Sequence, residues 1–216
     1  MKPWFFISLA LGIAFSIIFF YAPMEKTQGI VQKIFYIHVS SALTMYVGFF
    51  IAFIASIIHL YKRESRYYWM SKSAIEVGYV FCCIVLLTGP VWAKPIWGAY
   101  WTWEPRLTTT FILWLIYTSY LLFQSYLKEN QKKAEVISSI IAVVAFFDVP
   151  LIHLSVKLWR GVHPTVLRNK EGLPPSMSLT LVITFFVMIG LFAYLLRQRF
   201  FLEKLEQQIL QLKENQ

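Results

Sequence analysis

The chain has 216 residues, of which 58% are hydrophobic and 14% charged, and its mean hydropathy is +0.59. Soluble domains carry about 45–50% apolar and about 25% charged residues, so an ordinary water-soluble globule is excluded and a single integral membrane domain over residues 1–216 is expected. The net charge of +9 raises nucleic acid as a partner, but the basic residues are scattered between apolar runs, with no zinc-finger, RRM or helix-turn-helix pattern. Lipid bilayer, and no nucleic acid, is the expected surrounding.

Hydropathy predicts six membrane helices and an all-α fold. The first covers residues 4–21, about 18 residues and just enough to span a hydrocarbon core of roughly 30 Å. No small-x-small cleavage site follows, so it reads as a retained helix and not a signal peptide. The second covers 34–60, with His38 at its start and His59 at its end. The third, 74–90, holds Glu76 near one end and the adjacent pair Cys82-Cys83 in its middle. Vicinal cysteines do not form the usual disulfide, and no C-x-x-C or C-x-x-C-H occurs. Disulfide exchange and a covalently attached c-type haem are thereby set aside, leaving the thiols as small buried hydrophobes.

Residues 90–106, PVWAKPIWGAYWTWEPR, follow. Two prolines and a glycine are expected to interrupt the helix here. Trp92, Trp97, Tyr100, Trp101 and Trp103 crowd into this stretch, closed by Glu104, Pro105 and Arg106. An aromatic belt at the headgroup level explains Trp4, Trp69, Trp114 and Trp159 one at a time. Five aromatics so close together read better as a platform for a large, flat, apolar ligand.

The fourth helix covers 107–127 and the fifth 136–154, the latter with Asp148, Pro150 and His153 near its far end. A longer polar connection, 155–176, carries Lys157, Trp159, Arg160, His163, Arg168 and Lys170. The sixth helix is 177–196, and 197–216 reads as a charged amphipathic tail on the cytoplasmic side. Six spans put both termini on one side. Lys and Arg are richer on the side of Lys2, the second and fourth loops and the tail, which the positive-inside rule places in the cytoplasm. The aromatic stretch, His38 and His163 then fall on the outer face, and His59 lies alone at the inner interface. No internal repeat, and no inverted repeat of the kind secondary transporters show, is evident.

Neutral imidazole is the commonest protein ligand for transition metals, and haem iron accepts histidine from either face. His38 and His163, on the same face as five aromatics, point to two-sided ligation of a haem; each alone could instead be an interfacial hydrogen-bonding residue. His153 is the competitor to His163. Arg106, Lys94, Arg160, Arg168 and Lys170 are candidate partners for the haem carboxylates. Glu104 and Arg106 are expected to pair with each other or with ligand, and Asp148 to pair with a basic residue or orient a histidine. No Walker A loop, G-x-G-x-x-G, H-E-x-x-H or Ser/His/Asp order appears, so no independent catalytic site is expected.

WGAYWTWEPRL resembles the tryptophan-rich signature WGxxWxWD of the haem-handling (WWD) proteins of cytochrome c biogenesis. FYIHVSSA around His38 and HLSVKLWRGVHP ending at His163 resemble the CcmC branch, the haem exporter protein C family. Glu104 stands where the signature usually has Asp, and the following Pro105 is more typical of the CcsA branch. The resemblance implies that haem b is bound at the outer, periplasmic face of the inner membrane and presented to the haem chaperone CcmE. CcmA–CcmB, an ABC transporter, and the small CcmD are the implied partners. By motif, His38 and His163 become axial ligands, and Trp97, Trp101, Trp103 and Glu104 the haem and chaperone surface. Two rivals remain. A membrane oxidoreductase would place histidine pairs within the spans. A transporter of haem or another solute would run polar residues along a helix face.

Overall fold

The computed structural model describes residues 2–214 apart from 27, 127–130, 162 and 164–172. Seven α-helices are present among the described residues: α1 (Pro3–Ser16), α2 (Ile34–Lys62), α3 (Ser65–Trp97), α4 (Pro105–Tyr126), α5 (Gln131–Phe146), α6 (Asp148–Leu158) and α7 (Pro175–Glu214). No strand occurs among the described residues. Six stretches are long and apolar enough to cross a membrane, with α5 and α6 together making one of them. The chain is an all-α, multi-pass membrane protein, as the hydropathy predicted. The expected loop residue Lys128 and the carboxylate candidates Arg168 and Lys170 lie outside the described residues.

The α2–α3 hairpin is the frame. Its register is fixed at three depths: His38 bonds Thr88, Gly48 meets Gly78, and Ser56 bonds Ser71 at 2.7 Å. A Cβ on Gly48 would lie 3.2 Å from the Cα of Gly78 and 2.9 Å from the ring of Phe192. Small residues that let backbones approach are the usual device for helix packing in lipid, where apolar burial offers little net drive. Around this crossing Met45, Phe49, Phe81, Leu113, Tyr117 and Phe192 form the main core, with Phe49 stacked on Tyr117 at 4.0 Å.

Three expectations are corrected by the backbone. First, α3 starts at Ser65 and runs straight through Pro90 and Pro95 to Trp97. Each proline removes one backbone hydrogen bond, but a membrane helix has no water to compete for the freed groups, and its φ already suits a helix. The break comes at Gly98 instead, in the left-handed region (φ +75°), whose N–H closes on Lys94 O at 2.9 Å. Second, the fifth span is broken at Phe147. Pro150 stands in the first turn of α6, where its missing N–H costs nothing. Third, the tail is no separate element. α7 continues through it to Glu214, and Arg199 pairs with Glu76 while Lys72 Nζ lies 2.7 Å from Glu203, pinning it along α3.

The break in the fifth span shapes the site. α5 packs against α2, whereas α6 packs on α4 and barely touches α2. The space so left, at the end of the bundle that carries His38, is a cavity.

Candidate functional site

The cavity has a volume of about 420 Å³ and lies between α2, α3, α4, α6 and the segment after α6. That is within the range of small-molecule and cofactor sites, roughly 300–1,000 Å³. Along α2 its wall runs from Phe35 and His38 to Tyr46; at 1.5 Å per residue, His38 to Tyr46 is about 12 Å of depth. Val39, Leu43, Val85, Leu86 and Trp92 make much of the wall apolar. Its polar groups are few: His38, Arg106, Thr110, His153, Lys157 and His163 among them.

His38 is held in one tautomer. Its Nδ1 lies 2.9 Å from Thr88 Oγ1, and that hydroxyl spends its hydrogen on Ile84 O at 2.7 Å. Thr88 has only one hydrogen to give, so it accepts here and Nδ1 is the protonated nitrogen. Nε2 therefore carries the lone pair, and no described residue hydrogen-bonds to it. Gly89 makes room for the ring, since a Cβ there would come within 3.2 Å of His38 Cε1. Trp92 meets the ring edge-on at 5.7 Å and is itself anchored by Nε1–H donating to Gln28 Oε1 at 2.9 Å.

His163 reaches the cavity by a turn that the sequence builds locally. Arg160 sits in the left-handed region (φ +50°), and Gly161 N–H closes back on Val156 O at 2.9 Å. A left-handed residue followed by this longer closing bond is the Schellman way of stopping a helix. A Cβ at Gly161 would collide with Glu104 Oε1, so a side chain there would push the Glu104 carboxylate aside. Two residues on, His163 packs edge-on to Trp97 at 6.0 Å, with Nδ1 3.8 Å from Glu104 Oε2. Burial, reinforced by the positive charge of Arg106 and by His38, pulls the His163 imidazole down to about 3. At neutral pH it is uncharged, so its contact with Glu104 is not an ion pair, and Nδ1 is left buried without a hydrogen-bond partner.

Glu104 does something the sequence reading missed. Its Oε2 accepts the backbone N–H groups of Arg106 at 2.9 Å and Leu107 at 3.2 Å. It is the N-cap of α4, with Pro105 at the first helical position. No ion pair joins Glu104 to the Arg106 guanidinium, so of the two expected pairings, with each other or with ligand, the first is not made; Arg106 Nε is buried without an acceptor. The extra methylene of Glu relative to Asp does not prevent capping.

The five aromatics are divided. Trp92 and Trp97 line the cavity. Trp101 packs edge-on against Trp103 and Phe111, away from the cavity. Trp103, in the left-handed region (φ +54°), is 69% exposed and Tyr100 is 59% exposed. They are exposed and do not line the cavity, so the five aromatics make no continuous platform within it. Lys94 donates to Gly98 O at 2.8 Å and lies over the Tyr100 ring, and neither it nor the exposed Arg160 lines the cavity. Lys157 does.

His153 lines the cavity too, with its ring 4.9 Å from that of Tyr46. Asp148 is buried with Oδ2 unpartnered and touches neither a cation nor a histidine among the described residues. His59 was expected at an interface but is 2% exposed, with Nδ1 2.8 Å from Ser139 Oγ and Nε2 3.5 Å from Glu135.

With this geometry the arrangement offers a slot with a fixed imidazole on α2, a second neutral imidazole opposite the tryptophans, and an unpaired guanidinium. A model of the haem exporter protein C family matches residues 1–216. Among similar proteins, a ccmC-like mitochondrial protein of cytochrome c biosynthesis from Marchantia polymorpha is 28% identical over 200 residues, covering 93% of this chain and 82% of that protein. Haem exporter protein C of Escherichia coli K12 is 28% identical over 178 residues, covering 81% of this chain and 72% of that protein. The Paracoccus denitrificans protein of the same name is 32% identical over 145 residues, 67% of this chain; the chain spans only 60% of that relative. The match extends over the full sequence, and the chain belongs to the haem exporter protein C (CcmC) family, whose role is haem handling for cytochrome c biogenesis.

Proposed function

We propose that this protein holds haem b in the cavity between α2, α3, α4 and α6, at the periplasmic face of the inner membrane, and presents it to the haem chaperone CcmE. His38 and His163, both on the cavity wall, would hold its iron. One observation carries the reading: the Thr88 hydroxyl, committed to Ile84 O, accepts from His38 Nδ1 and leaves Nε2 as a free lone pair on the cavity wall. A hydrogen bond on the far ring nitrogen is how proteins orient metal-binding imidazoles. His163 supplies a second imidazole kept neutral by burial.

The residues fit the group in other respects. The apolar wall suits the macrocycle edge, Trp92 and Trp97 supply flat contacts, and Arg106 Nε lacks an acceptor that a haem carboxylate would provide. Iron and its porphyrin are the cargo; the chain's own work is to bind, orient and release. It is a handover protein and not a catalyst with turnover of its own. Tyr100, Trp103 and their exposed neighbours are the surface offered to the chaperone, with CcmA–CcmB and CcmD as the surrounding assembly and both termini in the cytoplasm.

The test is reconstitution. Purified protein, His38→Ala and His163→Ala are loaded with haem and mixed with haem-free CcmE. A low-spin absorption spectrum lost in either variant, together with transfer from the wild type only, is expected. A high-spin spectrum unchanged by both substitutions would overturn the assignment.

A further inference from the structure

We propose that Lys157 is the second half of a two-cation clamp which, with Arg106, reads a pair of carboxylates on the cavity's ligand. This rests on the haem reading above and names a contact that neither the motif nor the family likeness singled out.

Arg106 is the second residue of α4 and Lys157 lies in the last turn of α6; the two helices pack against each other, and both side chains line the cavity. Neither has an ion-pair partner among the described residues. The carboxylate nearest in sequence to Arg106 belongs to Glu104; its Oε2 is taken by the α4 backbone N–H groups, and it makes no ion pair with the guanidinium. Arg106 Nε is buried and unsatisfied. A cation at the last turn of a helix also favours the helix dipole, but that does not place Lys157 on the wall of an otherwise apolar slot.

The buried Arg106 Nε is costly to leave without a partner, and the exposed Lys157 brings a second cation to the wall of the same slot. Two cations on adjacent helices suit a dianion with an apolar body. The chemistry divides naturally: the planar guanidinium takes one carboxylate through paired N–H bonds, and the ammonium on its flexible stem takes the other as a point charge. The clamp also orients the ligand, carboxylates toward the helix ends and the apolar edge toward Val39, Leu43 and Leu86.

The experiment titrates the full-length protein in nanodiscs with haem, iron-free protoporphyrin IX and protoporphyrin dimethyl ester, reading quenching of tryptophan fluorescence. The wild type is expected to bind both diacids at least tenfold more tightly than the ester. Lys157→Gln should weaken both diacids about tenfold and leave the ester unchanged; Lys157→Arg should restore binding and Lys94→Gln should have no effect. Equal affinities for diacid and ester, or a Lys157→Gln protein that binds haem as the wild type does, overturn the clamp while leaving iron ligation standing. A folded wild type that binds no porphyrin removes the haem reading, and the clamp with it.

Discussion

α2 carries two histidines of opposite fate, one at each end of the bundle. His59 has both ring nitrogens engaged, Nδ1 with Ser139 and Nε2 with Glu135, away from the cavity that His38 lines; Glu135 also accepts from Ser65 Oγ at 2.8 Å. His38 has one nitrogen fixed by Thr88 and the other facing a cavity. The same residue type, on the same helix, is structural at one end and open for ligation at the other. His59 is buried and His38 half-buried, but what separates their roles is whether the second nitrogen has been given a partner.

Substituting the two histidines is the widest way to separate them. His38→Ala is expected to weaken haem binding by more than about 100-fold, since even partners of a metal ligand are worth 10–100-fold. His59→Ala should leave the haem spectrum intact and lower stability by about 1–3 kcal/mol, because Glu135 and Ser139 lose a buried partner. Haem titration alongside thermal unfolding in detergent reads both. If His59→Ala abolished haem binding with the fold preserved, the two ends would not be functionally distinct.

Thr88→Val sharpens the contrast further. It removes the acceptor of His38 Nδ1–H with little change of shape, and should weaken haem binding by about 10–100-fold while Thr88→Ser retains it. An unchanged affinity in Thr88→Val would mean that the tautomer is set by something else.

Smaller effects are expected at the cap that positions the second histidine. Glu104→Ala should cost about 0.5–2 kcal/mol of stability through loss of the α4 N-cap, and Glu104→Asp much less. Gly161→Ala tests the same contact from the other side, because its Cβ would strike Glu104 Oε1. Circular dichroism melts of the two variants would show whether they share a defect.

Acid is expected to do least. With the His163 pKa at about 3, roughly 1% of it is protonated at pH 5, so haem affinity should be flat from pH 8 to pH 5 as far as this residue decides. An ordinary exposed imidazole would lose ligation through pH 6.5. The sign for stability is the reverse of a salt-bridged histidine. Between about 3 and 6.5 the unfolded chain binds the proton and the folded one does not, so the haem-free protein loses stability as pH falls through that window. A titration of haem affinity against pH with a midpoint near 6.5 would contradict the buried, neutral imidazole.

Much of the fold was legible in hydropathy, because six apolar runs in lipid leave little choice but helices. What was not legible followed from context. Pro90 and Pro95 look like breakers by the rules for water-exposed helices, yet α3 passes through both. Pro150 falls within the expected fifth span, yet it marks the first turn of α6, and the order Asp148-Val149-Pro150 could have signalled a helix start. In the site, His38, His163, Trp92, Trp97 and Arg106 could be named from sequence and are brought to one cavity. Glu104-Pro105 was also readable, as an N-cap followed by proline, but its charge drew attention away from its backbone role. The burial of His59 was not readable, since Ser139 and Glu135 reach it from α5, far along the chain. Nor was Lys157, because only the lean of α6 against α4 decides which side chains of that helix meet the cavity.

The axial pair is best read directly, by near-infrared magnetic circular dichroism of the ferric haem-loaded protein in lipid nanodiscs. A charge-transfer band at the position of bis-imidazole ligation, absent in His38→Ala and retained in His59→Ala, is the predicted result. A band assigning methionine, tyrosinate or water to one face, or a bis-imidazole band that survives His38→Ala, would contradict the ligation of haem between His38 and His163.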